Sequence, residues 1–551
     1  MNQWNKEVLE WTRALVSHPS VVGTLGERDL AHYIHGRLRE WPYFQMHPDH
    51  LWLVRTRGDE KERYSVLALV KGNLCPNRET VLLMGHLDTV GVEDYGKWKR
   101  WAFTPDELMK RWKDERIPPG VKRDLEEGEW ACGRGSVDMK SGLACHLALL
   151  RHYADRVEEW SGNLVFLAAC DEEDNSKGIL SSLDELAHIR REHDLDYIAA
   201  INTDYTSPRY DGDPHRYVYL GTVGKLLPAF YIVGSETHAG QAFEGLDPNL
   251  VAAELTRRLD YNPEFCDEMY GEVTTPPVSL KQTDLKGSYD VQTPVTAWVY
   301  YNYFVHRRSP KDVLESLREV AAQALEAALA IHRERLDSFA RKSGDPVGSP
   351  DFSARVYTYE ELVQQASKEQ GPGFEEEMRQ FAMNLVNEEG LDLREYNRRM
   401  VEELWQCSGE AGPGVVLFYA SVYFPRVVLD PDQDRDRRLI EAVREAVGAV
   451  QPDCIHPIQV RHFFPYISDM SFVAISDDEE GLDALAQNMP AWGTKHRMDV
   501  DAIRELDIPV VNIGPYGKDA HKQWERVEVA YSMELVPEIN RQVVERLFRP
   551  S

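Results

Sequence analysis

Short apolar runs that stop on a polar residue recur through the N-terminal part of the chain. Residues 51–56, 64–70, 81–84, 164–169 and 197–201 show this pattern and are predicted as strands. Residues 6–16, 27–41 and 139–153 instead repeat apolar side chains at helical spacing and predict amphipathic helices. Strands alternating with helices predict an α/β fold whose central sheet is mostly parallel and covered by helices.

The pattern changes at Gly221-Thr222-Val223-Gly224-Lys225. A strand at 226–233, a helix at 249–259, strands at 278–281 and 295–305, a helix at 310–333 and a strand at 415–424 are predicted next. That succession describes a small ferredoxin-like α+β domain. Before its last strand, the stretch 334–414 is rich in Glu, Gln, Arg and Gly, with helical pieces at 375–387 and 393–405, and reads as a mostly helical insertion. Alternating α/β pattern then resumes with a helix at 437–450, a strand at 508–513 and a helix at 536–548. The expected organisation is one α/β domain, 1–221 and 431–551, interrupted by an α+β domain at 222–430.

Composition changes the picture chiefly by narrowing the partners. Of 551 residues, 42% are hydrophobic, enough for a substantial core, and the formal net charge is −29. Nucleic acid or an anionic membrane would call for a basic face, so neither is expected as a partner. Cys75, Cys132, Cys145, Cys170, Cys266, Cys407 and Cys454 are odd in number and contain no Cys-x-x-Cys pair, which argues against a disulfide framework or a zinc knuckle. The segment from Met1 to Glu7 is polar, and no apolar run approaches the roughly eighteen residues of a membrane span. The cytoplasm is the expected location.

Candidate chemistry collects where predicted strands end. Gly85-His86-Leu87-Asp88 closes the third strand, pairing a ligand-type His with a carboxylate able to orient its ring. In Gly133-Arg134-Gly135-Ser136-Val137-Asp138-Met139-Lys140, two glycines make a tight turn before a helix. On its own, Asp138 reads more simply as an N-cap. Cys170-Asp171-Glu172-Glu173-Asp174 follows another strand; alone it is a solvated acidic turn, or else one Glu is a metal ligand and its neighbour a general base. Ile201-Asn202-Thr203-Asp204 is a further strand ending in a carboxylate. Asn512-Ile513-Gly514-Pro515-Tyr516-Gly517-Lys518-Asp519-Ala520-His521, with Glu525 beyond it, returns a His near the C-terminus that alone would be unremarked. Together, two His and three carboxylates suit a borderline metal such as zinc, with one carboxylate shared between two ions.

These stretches, in this order, resemble the dinuclear zinc amidohydrolases of the M20 metallopeptidase family, which includes aminoacylase, succinyl-diaminopimelate desuccinylase, tripeptidase and glutamate-releasing carboxypeptidases. The resemblance spans residues 80–525. It implies two zinc ions, with Mn or Co as substitutes. His86 and Asp204 would bind one, Glu173 and His521 the other, and Asp138 would bridge them. Asp88 would orient His86, and Glu172 would be the general base. Asp204 departs from the Glu common among deacylases and is similar to the dipeptidase and tripeptidase branch. The inserted α+β domain corresponds to the family's lid and dimerisation domain. Within it, Ser235-Glu236-Thr237-His238-Ala239-Gly240 resembles the segment whose His reaches a partner subunit's site and stabilises the oxyanion, which implies a homodimer. The insertion at 334–414 could instead cover the lid edge and leave a monomer. Arg307, after the strand at 295–305, matches the family's lid Arg and is a candidate substrate contact. The family's Asn-bearing glycine loop is missing from 278–287. Among its members, the chain is most like a long-chain subgroup associated with arginine utilisation.

The expected activity is metal-dependent hydrolysis of an amide bond in a short peptide or an N-acyl amino acid, with a water activated between the zincs and Glu172 as base. A non-catalytic metal-binding member of the fold is the alternative, against which the intact Glu172 speaks. A two-metal phosphatase or nuclease would need a phosphate-gripping basic cluster, which Arg134 and Lys140 do not make.

Overall fold

The computed structural model describes residues 3–114, 116–344, 346, 348, 350 and 352–549. Positions 345, 347, 349 and 351 of the predicted insertion lie outside the described residues. The chain forms two compact units: Met1–Thr222 with Val427–Ile475 and Asp499–Ser551, and Val223–Arg426 with Ser476–Met498.

The first unit is built on an eight-stranded sheet. Its strands lie in the order Leu51–Arg55, Tyr64–Lys71, Asn163–Ala169, Glu79–His86, Asp196–Asn202, Val510–Asn512, Arg216–Tyr219 and Ile458–Arg461. The central pairings are parallel, as is that of Ile458–Arg461 with Arg216–Tyr219, whereas Leu51–Arg55, Tyr64–Lys71 and Arg216–Tyr219 pair antiparallel with their inner neighbours. Glu79–His86 runs between two parallel neighbours and is buried on both faces, which is why its sequence is a continuous apolar run. Alternate residues such as Val66, Ala68, Val81, Leu83, Phe166 and Ala168 share one core with the helices Gln3–Val16, Leu25–Arg39, Lys140–Ala154, Asp434–Val450 and Val536–Leu547. Leu67, Leu69, Leu82 and Leu167 point to the opposite face.

Register places the chemistry. His86 pairs with Ala169, Met84 with Asn202, and Asn202 with Asn512, so the carboxyl ends of these parallel strands share one edge. A small antiparallel sheet of Trp130–Cys132, Arg526–Glu528 and Gly517–Lys518 ties the C-terminal loop beside the turn that leads into Asp138. The helices Pro105–Asp114 and Pro119–Glu127, which the periodicity does not predict, contribute to a satellite core of Tyr95, Trp98, Leu108, Trp112 and Val121, packed against Trp524.

In the second unit the strands Val278–Asp284, Thr296–Val305, Pro228–Val233 and Gly414–Tyr419 lie side by side, all antiparallel. With the helices Pro248–Leu259 and Pro310–Ser343 in their chain positions, this is the predicted ferredoxin-like arrangement. The insertion is not wholly helical. Its strand Arg355–Thr358 pairs parallel with Gly414–Tyr419 and extends the sheet at that edge. Its helices Tyr359–Gln370, Phe374–Val386 and Leu393–Cys407 bring Leu362, Phe374, Val401 and Trp405 onto Ala229, Tyr231, Trp298 and Phe418, covering one face of the sheet. The stretch 476–498, expected within the α/β domain, belongs to this unit. Asn488 accepts the backbone N–H of Tyr419, Ala491 donates to Asn397 Oδ1, and Asp477 pairs with Tyr423 and Arg426, all within this unit.

Candidate metal centre

Strand ends bring the buried His86, Glu172 and Asp204 to one edge of the sheet, and the C-terminal loop brings the half-exposed His521 to Asp138 and Glu173. His86 closes its strand with its imidazole almost wholly enclosed. Its Nδ1 lies 3.2 Å from the backbone oxygen of Asp88 and 3.6 Å from that residue's carboxylate, so the main-chain carbonyl is the nearer partner for the ring. Its Nε2 lies 3.2 Å from Asp138 Oδ1 and 3.7 Å from Glu172 Oε2. The second oxygen of Asp138 lies 2.9 Å from Nε2 of His521, which also stands 3.1 Å from Glu173 Oε1. One carboxylate therefore faces two imidazoles, one on each oxygen. Ligand atoms of His86, Asp138 and Glu173 all fall within 4.8 Å of one another.

The acidic turn is held from below. Asp88 accepts the backbone N–H of Glu172 at 3.2 Å and of Glu173 at 3.0 Å. Behind it, the buried Arg63 pairs with Glu27, Asp59 and Asp171, and Glu27 accepts the backbone N–H of Asp171 at 2.9 Å. Asp138 has its own support: Glu525 accepts the backbone N–H groups of Val137 and Asp138 at 3.2 and 3.4 Å and is neutralised by Arg134 at 2.7 Å. Asp204 lies just past its strand, its N–H and C=O both bonded to the side chain of Asn512.

The electrostatics are those of a cation site. Burial pushes the carboxyls of Glu172 and Asp204 well above their ordinary range; His86 pulls both back, and neighbouring carboxylates push them up further. Glu173 is raised by burial and by Asp138. Asp138 is the exception: burial would raise it, but hydrogen bonds from His521 and His86 hold it below the usual carboxylate range. Burial also opposes protonation of both imidazoles, yet the carboxylates around them win, and His521 reaches about 11. Carboxylates outnumber the positive groups among these donors, a charge balance suited to a bound cation. Imidazole nitrogen and carboxylate oxygen fit zinc and its neighbours.

His86, Asp88, Asp138, Glu172, Glu173, Asp204 and His521 all belong to the first unit, and His238 and Arg307 to the second. His238 is exposed, with its Nδ1 accepting from Gly240 N at 3.0 Å. The side chain of Arg307 is exposed, while its backbone N–H donates to Asp267 at 2.7 Å. Sequence reasoning passed over Glu525, Arg134 and Asn512 as participants. Only the Gly-rich motifs in which Arg134 and Asn512 sit offered any signal.

Comparison with known proteins agrees with this architecture. The model of peptidase family M20/M25/M40 matches residues 82–536. The chain is 37% identical over 539 residues to Protein RocB of Bacillus subtilis (strain 168), covering 98% of this chain and 94% of that protein. It is 34% identical over 551 residues to the uncharacterized protein YqjN of the same organism, covering 100% and 98%. A tripeptidase from Staphylococcus aureus subsp. aureus mu50 shares the fold with a TM-score of 0.51 at 13% identity, over 99% of both chains. So does an M20 family metallo-carboxypeptidase from Sulfolobus solfataricus, with a TM-score of 0.51 at 13% identity, over 98% of this chain and 100% of that one. The chain belongs to peptidase family M20/M25/M40.

Proposed function

We propose that the protein is a dinuclear metal hydrolase that cleaves the amide bond of a short peptide or an N-acyl amino acid. The observation that carries this reading is Asp138 standing between His86 and His521, one imidazole on each oxygen, with Glu172 beside them. His86 and Asp204 would hold one ion and Glu173 and His521 the other, with Asp138 contributing to both; zinc is the metal best matched to these donors. When bound, the ions supply Lewis acidity to the scissile carbonyl and to the attacking water.

The remaining work falls to side chains. Glu172 takes the proton of the attacking water and delivers it to the leaving nitrogen. Glu172 is buried and its Oε2 stands 3.7 Å from His86 Nε2, which places it at the proposed metal site, as a base there must be. Asp88 fixes the turn that carries Glu172 and Glu173. In the second unit, read as a lid and dimerisation domain, His238 stabilises the oxyanion and Arg307 contacts substrate, in a homodimer. The subgroup resemblance supports a role in arginine and amino-acid catabolism, which we place in the cytoplasm.

The test is a panel of dipeptides, tripeptides, N-acyl amino acids and phosphoesters offered to the zinc-loaded protein. Turnover of an amide and of no phosphoester supports the reading; turnover of phosphoesters alone overturns it.

A further inference from the structure

We infer that Asn512 is a positioning residue that fixes the backbone of Asp204 for metal binding, an inference that rests on the metal-hydrolase reading above. The strand Asp196–Asn202 stops two residues short of Asp204, so the ladder offers no partner to that residue's buried N–H and C=O. The side chain of Asn512 serves both. Its Oδ1 accepts the Asp204 N–H at 2.9 Å, and its Nδ2 donates to the Asp204 carbonyl at 2.8 Å. Oδ1 also accepts Nδ2 of Asn202 at 3.1 Å. Rotating the amide by half a turn would set its NH₂ against two donors, so the network itself fixes which end is oxygen. Asn512 is completely buried.

Two glycines close the clasp. A Cβ at Gly514 would lie 1.8 Å from the Asp204 carbonyl oxygen, and one at Gly142 would lie 2.1 Å from the carbonyl oxygen of Thr203. Neither glycine has a positive φ, so it is close approach rather than backbone conformation that requires them. The main chain at 203–204 is thereby held between the helix Lys140–Ala154 and the loop that follows Val510–Asn512. With a single methylene between backbone and carboxylate, a fixed backbone leaves the Asp204 carboxylate only a few rotamers, and its Oδ1 is held further by the backbone N–H of Tyr205 at 2.7 Å. The site on this side is therefore preorganised by the protein rather than assembled by the metal.

The experiment has two arms, both on the full chain. In the first, Asn512→Ala and Gly514→Ala are compared with wild type for zinc stoichiometry and for affinity by chelator competition, with folding checked by circular dichroism. Affinity for one ion is expected to fall about 10- to 100-fold, the usual effect of losing an outer support of a ligand, while the other is unchanged. In the second arm, amide hydrogen exchange of wild-type protein is followed with and without zinc. The Asp204 N–H is expected to be equally protected in both. Folded variants that keep both ions at wild-type affinity overturn the inference, as does an Asp204 N–H protected only when zinc is present. If neither variant folds, the exchange arm decides. Wild-type protein that takes up no zinc defeats the metal reading itself, a result distinct from either.

Discussion

Both oxygens of Asp88 are spent on the acidic turn, accepting the backbone N–H of Glu172 at 3.2 Å and of Glu173 at 3.0 Å. The expected carboxylate–imidazole partnership with His86 is the longer contact, at 3.6 Å, while the Asp88 carbonyl lies at 3.2 Å. Asp88→Asn turns an NH₂ toward one of those backbone donors and leaves the carbonyl beside His86 in place. Activity should fall about 10- to 100-fold, with zinc still bound. Steady-state kinetics beside metal analysis checks this; unchanged activity would show that the turn needs no such support.

Arg63 is nearly inaccessible and pairs with Glu27, Asp59 and Asp171 behind the same turn. Arg63→Met leaves three carboxylates without their cation. Breaking a buried pair from one side costs about 3–5 kcal/mol, and urea unfolding should show a loss of that order. A variant as stable as wild type would mean that water already serves these acids.

Acid should weaken the fold through imidazoles kept neutral inside it. Burial lowers the pKa of His50 and of His496 to about 4. In the unfolded chain both return toward about 6.5. Below that value the unfolded state binds protons that the folded state refuses, so this stability is complete above about pH 6.5 and drains away as pH falls toward about 4. The raised carboxyls of Glu172, Glu173 and Asp204 act in the opposite sense, so the measurement is the difference between proteins: from about pH 7 to about pH 5, the urea midpoint of His496→Gln should lose less than that of wild type.

His238 is exposed and lies in the unit read as the lid. His238→Ala should lower kcat while leaving zinc stoichiometry and unfolding midpoint unchanged, with wild type sedimenting as a dimer. A fully active variant would remove His238 from the mechanism.

Strand ends were legible because a parallel strand buried on both faces must be apolar throughout, so its first polar residue is conspicuous. His86 stands out in this way, while Asp204 and the acidic run after Ala169 follow the strand ends at a distance of one or two residues. The parts of Asn512 and Glu525 leave no local signature, because they exist only across the fold, to Asp204 and Asp138. Periodicity likewise missed Pro105–Asp114 and Pro119–Glu127, short helices whose aromatic neighbours pack locally rather than on the main core. The segment 476–498 was misassigned because no local pattern reveals that its partners are Tyr419 and Asn397.

The most direct measurement compares Glu172→Gln with wild type for zinc content and amide hydrolysis on a substrate found in the panel. The account predicts two zinc ions per chain in both proteins and turnover only in wild type. Wild-type turnover in the Gln variant would contradict the central claim.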